Sequence, residues 1–316
     1  MATRSPSRLL EPAPTSDLLQ LVQIQTAFPR PKSKPEWLKV RAPMGDNYHE
    51  LKKLARNLDL HTVCESAQCP NIGECWNQGT ATFMLLGNVC TRRCGFCAVP
   101  KGRPAPIDFG ESLRVAQAVA VLRLKHVVIT SVNRDDDNLG AARVFADTIR
   151  EVRNLTPGCR VEVLIPDFQG REEALQVVLD AEPEILNHNT ESVPRLYRVV
   201  RSGARYSTTL RLLENVKRLS PGMVSKTGVM VGLGETTDEL LAVFEDLAVR
   251  KVDILTIGQY LRPSRNHLPM ARYYTPQEFL FLKDQALQMG FRHVESGPLV
   301  RSSYHATEQA ASTTPH

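Results

Sequence analysis

Along residues 81–291, short runs of β-branched and aliphatic residues alternate with longer stretches whose apolar positions recur every three to four residues. The short runs, at 83–86, 127–131, 161–165, 185–188, 226–231 and 254–257, have the length of buried strands. The longer stretches, at 112–124, 141–153, 172–180, 194–201 with 210–219, 237–250 and 276–289, have the period of amphipathic helices. Strand and helix in alternation predict a parallel sheet, because each strand needs a long crossover to reach its parallel neighbour. Six repeats, with no glycine-rich dinucleotide turn opening the first, predict an α/β fold. The expected form is a partial (β/α)6 TIM-type barrel with N- and C-terminal extensions rather than a doubly wound sheet.

Barrel chemistry gathers at the carboxyl ends of the strands. Four of the expected strands end in polar clusters, at 130–137, 187–191, 231–236 and 258–262. Asn, Asp and Gly also favour turns, so any single cluster could be loop punctuation. Four at the same end of the sheet point to a site. The segment 231–235 is not a phosphate loop, lacking both the lysine and the full glycine pattern.

The chain has 316 residues, 42% apolar and 23% charged, which excludes a mainly disordered polypeptide. Its 39 basic and 34 acidic residues give +5, a bias that admits an acidic protein partner and offers no case for nucleic acid. No stretch approaches the roughly 20 apolar residues of a membrane helix, and no secretory signal opens the chain. The expected location is cytoplasmic. Residues 1–33, with Arg4, Arg8 and Arg30 among Ser, Thr and Pro, read as a flexible N-terminal arm, an organelle transit peptide being the alternative. An extension at 34–80, the barrel at 81–291 and a C-terminal segment at 292–316 complete the division.

Six of the seven cysteines fall between Cys64 and Cys97. An odd count, tight clustering and no secretion signal argue against disulfides. Cys64, Cys69 and Cys75 form one triplet, and Cys90, Cys94 and Cys97 another. Cys159 stands alone and reads as a small buried hydrophobe. Structural zinc prefers paired short spacings that supply four ligands, whereas each group here supplies three. Soft thiolates in such runs suit iron–sulfur clusters, and three cysteines on four irons leave one iron open. Two triplets suggest two clusters.

CxxxCxxC at Cys90–Cys97, after the first strand and with Phe96 before the last cysteine, resembles the signature of the radical S-adenosylmethionine (SAM) superfamily. The segments 34–41, 64–76, 131–136 and 297–304 are in turn similar to those of the lipoyl synthases, and together the likeness spans about residues 34–306. The resemblance implies that Cys90, Cys94 and Cys97 hold a SAM-cleaving [4Fe–4S] cluster. It implies that Cys64, Cys69 and Cys75 hold an auxiliary [4Fe–4S] cluster, with Ser303 as fourth ligand and the C-terminal segment closing over it. Without the family, Ser303 would read as a polar terminus. The implied reaction inserts two sulfur atoms at C6 and C8 of a protein-bound octanoyl-lysine, each C–H abstraction using one SAM and the auxiliary cluster giving up sulfide. Those methylenes carry no acidic proton or leaving group, so only a cofactor-generated radical can open them. Implied partners are octanoylated lipoyl carrier domains of 2-oxoacid dehydrogenases, the glycine-cleavage H protein, and an electron donor of ferredoxin or flavodoxin type. Position at strand ends assigns Asn189 and Glu191 to SAM, and Asn133 and Arg134 to the substrate or the SAM carboxylate. Arg262 and Arg301 are further anchors for carboxylates or cluster-bound groups. A biotin synthase-like enzyme is the alternative reading.

Overall fold

Among the described residues, eight strands join one sheet in chain order. They are β1 (His61–Thr62), β2 (Thr82–Leu85), β3 (His126–Ser131), β4 (Arg160–Leu164), β5 (Ile185–Asn187), β6 (Val224–Val231), β7 (Ile254–Gln259) and β8 (His293–Gly297). The structure, a computed structural model, describes residues 33–40, 46–67, 69–77, 80–304, 306 and 309. The arm expected at 1–33 lies outside them except for residue 33. Ahead of β2 come α1 (Asp46–Asn57), α2 (Val63–Ser66) and α3 (Ile72–Asn77). The crossovers are α4 (Glu111–Val121), α5 (Asn138–Leu155), α6 (Glu172–Leu179), α7 (Tyr197–Val200) with α8 (Tyr206–Leu219), α9 (Thr237–Val249) and α10 (Pro276–Gln288).

From β2 to β8 every neighbouring pair is parallel, and β1 runs antiparallel to β2. Six strand–helix repeats thus follow one another as the alternation predicts, and the row ends at β1 and β8 as an open, partial barrel. The C-terminal segment expected at 292–316 begins with β8, paired to β7 through Leu255↔Val294.

Strands covered on both faces need continuous apolar runs. All four residues of β2 are buried, as are Val127 and Ile129, Val161 and Val163, and Leu255 and Ile257. Along α5 the buried Ala141, Val144, Phe145, Thr148, Ile149 and Val152 recur at three- and four-residue steps, turning one face onto the sheet. Phe145→Ala would cost about 3–5 kcal/mol by removing a fully enclosed ring. The helices start where strand-end residues cap them. Asp137 accepts from the Gly140 N–H at 2.8 Å, and Thr236 with Glu239 and Thr275 with Glu278 form capping boxes. Part of the polar material at the strand ends is therefore helix punctuation.

Inside the barrel, Lys226 donates to Glu162 at 2.8 Å, both fully buried, with His126 at 3.6 Å on the other carboxylate oxygen. Burial pushes the Glu162 carboxyl up, and the Lys226 charge with the adjoining His126 outweighs it to hold the group below the usual range. This pair ties β4 to β6 across the interior, leaving the carboxyl end of the barrel for the site.

Candidate functional site

Leaving β2, the chain turns through Leu86 and Gly87, both at positive φ. The Leu86 N–H donates to the buried Glu111 carboxylate at 2.7 Å. The loop that follows closes on itself, because Cys90 N–H donates to Pro100 O (2.8 Å) and Gly102 N–H to Cys90 O (3.0 Å). Thr91 and Asn133 tie it to the end of β3, where the Asn133 backbone N–H reaches Cys90 Sγ at 3.3 Å. Arg92 clamps it further. Its guanidinium donates to Asp135 after β3 and to Asp167 after β4. Gly95 N–H donates to Val200 O, and Gly95 O accepts from Leu268 N–H, both at 3.0 Å. A Cβ at Gly95 would stand 2.7 Å from Leu268 Cγ, so this close passage needs glycine. His267 Nε2 lies 3.1 Å from Cys97 O.

The loop brings three thiols together. Burial pushes Cys94 up to about 12; the Arg201 charge opposes this, while Cys97, Glu191 and Cys90 add to it. Cys97 is raised first by burial and then by Cys90 and Glu191. Glu191 and Arg201 therefore share a field with the cysteines. Asn189 donates from Nδ2 to Glu191 at 3.2 Å, and its buried Oδ1 has no partner. That oxygen sits over Gly228 of β6, whose added Cβ would stand 2.9 Å from it. Arg201 holds the Asn189 carbonyl at 2.7 Å and the Tyr197 hydroxyl at 2.8 Å. It also approaches His188 Nε2 at 3.2 Å. His188 Nδ1 lies 2.8 Å from Ile165 O, so the proton belongs on Nδ1 and Nε2 accepts from Arg201. Burial and then the Arg201 charge keep that imidazole neutral, down to about 3.

The first triplet comes together from two short helices. Cys64 lies on α2, whose first turn is capped by Thr62, and Cys75 lies on α3. Cys69 N–H reaches back to Cys64 O at 2.9 Å. Burial and the Cys69 charge push Cys64 up to about 11; burial, then Cys64 and Cys69, push Cys75 to about 12. The C-terminal segment lies across them. Asn71 Nδ2 donates to Leu299 O at 2.7 Å, and Tyr304 OH donates to Glu74 at 3.3 Å. Arg301 is lowered by burial while the Cys69 charge supports it, and it passes over Gly258 near the carboxyl end of β7. Ser303 lies partly buried between Arg301 and Tyr304 in the segment that crosses this triplet.

Within each triplet the thiols stand close enough to act on one another, the donor set a shared metal centre would use. Among the described residues no three His, Cys, Asp or Glu side chains form a group that could hold a lone ion. Three thiols in one field, each free to take a different iron, fit an iron–sulfur cluster.

Of the residues assigned from position, Asn133, Asn189 and Glu191 come together with Cys90, Cys94 and Cys97, and Arg301 joins the other triplet. Arg134 is buried and committed to Asp136 at 2.8 Å. Arg262 is exposed and spent on the carbonyls of Arg265 and His267 in its own loop. Cys159 is buried apart from both triplets. Arg92 and Arg201 escaped the sequence reading, although Arg92 stands between two cysteines of the motif.

An open row of parallel strands with a CxxxCxxC loop at its carboxyl end is the frame of a radical SAM enzyme. Residues 84–247 match the model of the Radical SAM superfamily. Solved structures share the fold at low identity: methylornithine synthase (PylB) at TM-score 0.53, 12% identity, covering 78% of this chain and 81% of its own. Streptococcus suis SuiB bound to S-adenosylmethionine aligns at 0.54 and 11%, over 81% of this chain and 58% of its own. The particular family follows from the rest of the chain. Residues 19–69 match the model described as the N-terminal domain of lipoyl synthase of the Radical SAM family. The lipoyl synthase of Koribacter versatilis is 72% identical over 93% of this chain and 97% of its own length. That of Rubrobacter xylanophilus is 61% identical over 87% and 86%. The chain belongs to the lipoyl synthase family.

Proposed function

We propose that this radical SAM sulfurtransferase works with two [4Fe–4S] clusters, one held by Cys90, Cys94 and Cys97 and one by Cys64, Cys69, Cys75 and Ser303. The observation that carries the reading is that each thiol triplet gathers in a buried field of its own, Cys90, Cys94 and Cys97 beside Glu191 and Arg201, and Cys64, Cys69 and Cys75 beside Arg301. When bound, the clusters and SAM supply the radical and the sulfur for C6 and C8 of a protein-bound octanoyl-lysine. The chain's own work is placement. Glu191, on positive-φ backbone beside Cys94, and the unpartnered Asn189 Oδ1 offer acceptors to the SAM amino group or ribose. Arg201 steadies both from behind. The Asn133 N–H on Cys90 Sγ and the Arg92 clamp keep the loop from drifting. Arg301 and the C-terminal segment close over the second triplet and exclude water.

The substrate is an octanoylated lipoyl carrier domain or the glycine-cleavage H protein, with a ferredoxin or flavodoxin as electron source. The exposed Arg93, Lys101, Arg103 and Arg265 around the loop support acidic partners. No helix among the described residues is long and apolar enough to cross a membrane. The bacterial relatives favour a cytoplasmic enzyme. The domain plan is an N-terminal extension presenting the second triplet, the barrel, and a C-terminal closure after β8.

The test is an anaerobic assay with SAM, a reductant and an octanoyl-lysine peptide. Mass spectrometry should find two added sulfurs, and the protein about eight irons. Cys64→Ala should still release 5′-deoxyadenosine without thiolation, and Cys90→Ala should do neither. Normal thiolation by Cys64→Ala overturns the donor role.

A further inference from the structure

The 39 basic and 34 acidic residues of the chain are close to balance, yet they are sorted around the two triplets. Residues 88–107 carry four Arg or Lys, 192–213 five and 260–277 three, and none of these segments contains an Asp or Glu. The fold knits the three into one rim. Gly95 bonds to Val200 and to Leu268, and His267 Nε2 lies 3.1 Å from Cys97 O. Lys101 bridges to Cys90 through the backbone, and its ammonium donates to Cys94 O at 3.1 Å. Neighbouring carboxylates are already engaged: Asp135 by Arg92, Asp136 by Arg134, Glu239 by Arg195 and Glu278 by Arg272. Arg93, Lys101, Arg103, Arg205, Arg262 and Arg265 are exposed and make no ion pair within the described residues. Around the other triplet the balance reverses. Residues 61–80 hold Glu65 and Glu74 and no Arg or Lys, and Arg301, which crosses that triplet, acts on Cys69.

A surface of one sign steers partners of the other and raises their on-rates by about 10- to 1,000-fold. Two acidic partners come into question here, the protein that delivers electrons and the one that presents the acyl chain. The acyl chain has to reach both triplets, whereas the electron has to reach Cys90, Cys94 and Cys97 alone. A basic field confined to that loop, with Arg93 and Lys101 on the loop itself, matches the electron donor.

We propose that this rim is the docking surface of an acidic one-electron transfer protein, seated over the Cys90–Cys97 loop. Each docking oxidises the donor by one electron and reduces the cluster of that loop by one. The proposal rests on the reading that Cys90, Cys94 and Cys97 hold the SAM-cleaving cluster. Redox contacts of this kind are small and transient, and those led by exposed charge weaken as salt screens it.

The test uses reconstituted full-length enzyme and flavodoxin, whose hydroquinone gives up one electron at a time. Binding is read by anaerobic titration calorimetry at 50 and 300 mM NaCl. The parent should bind about tenfold more weakly at the higher salt. The triple variant Arg93→Glu, Arg103→Glu, Arg265→Glu should bind about tenfold more weakly than the parent at 50 mM and keep little salt dependence. Its flavodoxin-driven release of 5′-deoxyadenosine should fall in step. With dithionite as reductant, the variant should cleave SAM at the parent rate and keep the parent KM for an octanoylated carrier domain. Unchanged flavodoxin affinity overturns the docking surface, and so does an equal loss with dithionite. A raised KM for the octanoylated domain with flavodoxin binding intact assigns the rim to the acyl carrier and overturns the proposal as well. A parent that cleaves no SAM with dithionite sinks the SAM-cluster reading instead, which keeps the two failures apart.

Discussion

Arg92→Met should loosen the SAM-cleaving loop by a calculable amount. Arg92 is 7% exposed and holds two carboxylates at once: Asp167 at 2.5 and 2.7 Å and Asp135 at 2.8 Å twice. Burial pushes Asp167 up, yet the hydrogen bonds and charge of Arg92 prevail and hold it down at about 2, against a usual 3.8. At 1.36 kcal/mol per pKa unit that difference is worth about 2 kcal/mol. Because Asp167 is only 2% exposed, solvent screening takes little from it. Leaving a buried carboxylate without its partner costs about 3–5 kcal/mol in comparable sites, so the variant should fall in or just below that range. The folded pKa lies below the unfolded one, so the contribution is complete above about pH 4 and lost only as pH falls through about 2. The deficit should therefore be the same at pH 6 and pH 8.

Urea unfolding of metal-free protein at both pH values measures the deficit. A double-mutant cycle with Asp167→Asn isolates the pair. Arg92 sits between Cys90 and Cys94, and a misplacement of about 1 Å at a reacting group can cost about 100-fold. SAM cleavage by the reconstituted variant should fall by about 10- to 100-fold. A coupling below about 0.5 kcal/mol, or cleavage at the parent rate, would refute the clamp.

Other outcomes separate the two halves of the site. Gly258→Ala puts a Cβ 2.2 Å from Val300 O and displaces the segment that carries Arg301 and Ser303. Thiolation should fall at least tenfold while 5′-deoxyadenosine release persists, measured in the same reaction. Gly95→Ala, with Leu268 Cγ at 2.7 Å and Val199 O at 3.0 Å, should instead reduce SAM cleavage and alter the EPR signal of the first cluster. The raised thiols make a pH prediction for metal-free protein. Burial lifts Cys64 to about 11 and Cys75 and Cys94 to about 12, so each adds stability below the unfolded value of 9.0 and loses it as pH climbs toward its folded value. Thermal unfolding at pH 7 and pH 10 should show the metal-free fold losing stability, and a flat profile would contradict the burial.

The barrel was legible because its strands are apolar runs between periodic helices, and buried parallel strands permit little else. What was not legible has few apolar side chains to announce it. β1 is two residues long. In β8 only Val294 is fully buried, and Glu295 and Ser296 give it a polar face at the edge of the row. Helices α2 and α3 are four and six residues long, too short to display a period, and they take shape around the cysteines and the Thr62 cap.

The site divides along a similar line. Cysteine spacing is local in sequence, so both triplets could be read directly. The roles of charged residues depend on partners that the spacing of a motif does not show. Arg134 and Arg262 look like free anchors at strand ends, but each has a nearby acceptor, Asp136 two residues on and the carbonyl of His267 five residues on. Arg92 and Arg201 look like ordinary loop and helix charges. Arg92 is spent on carboxylates 43 and 75 residues away, and Arg201 on the Asn189 carbonyl beside Glu191. A buried guanidinium must find acceptors wherever the fold places them. The strand ends supply acceptors here, and the contacts that satisfy Arg92 and Arg201 hold the first cysteine loop and Asn189 in place.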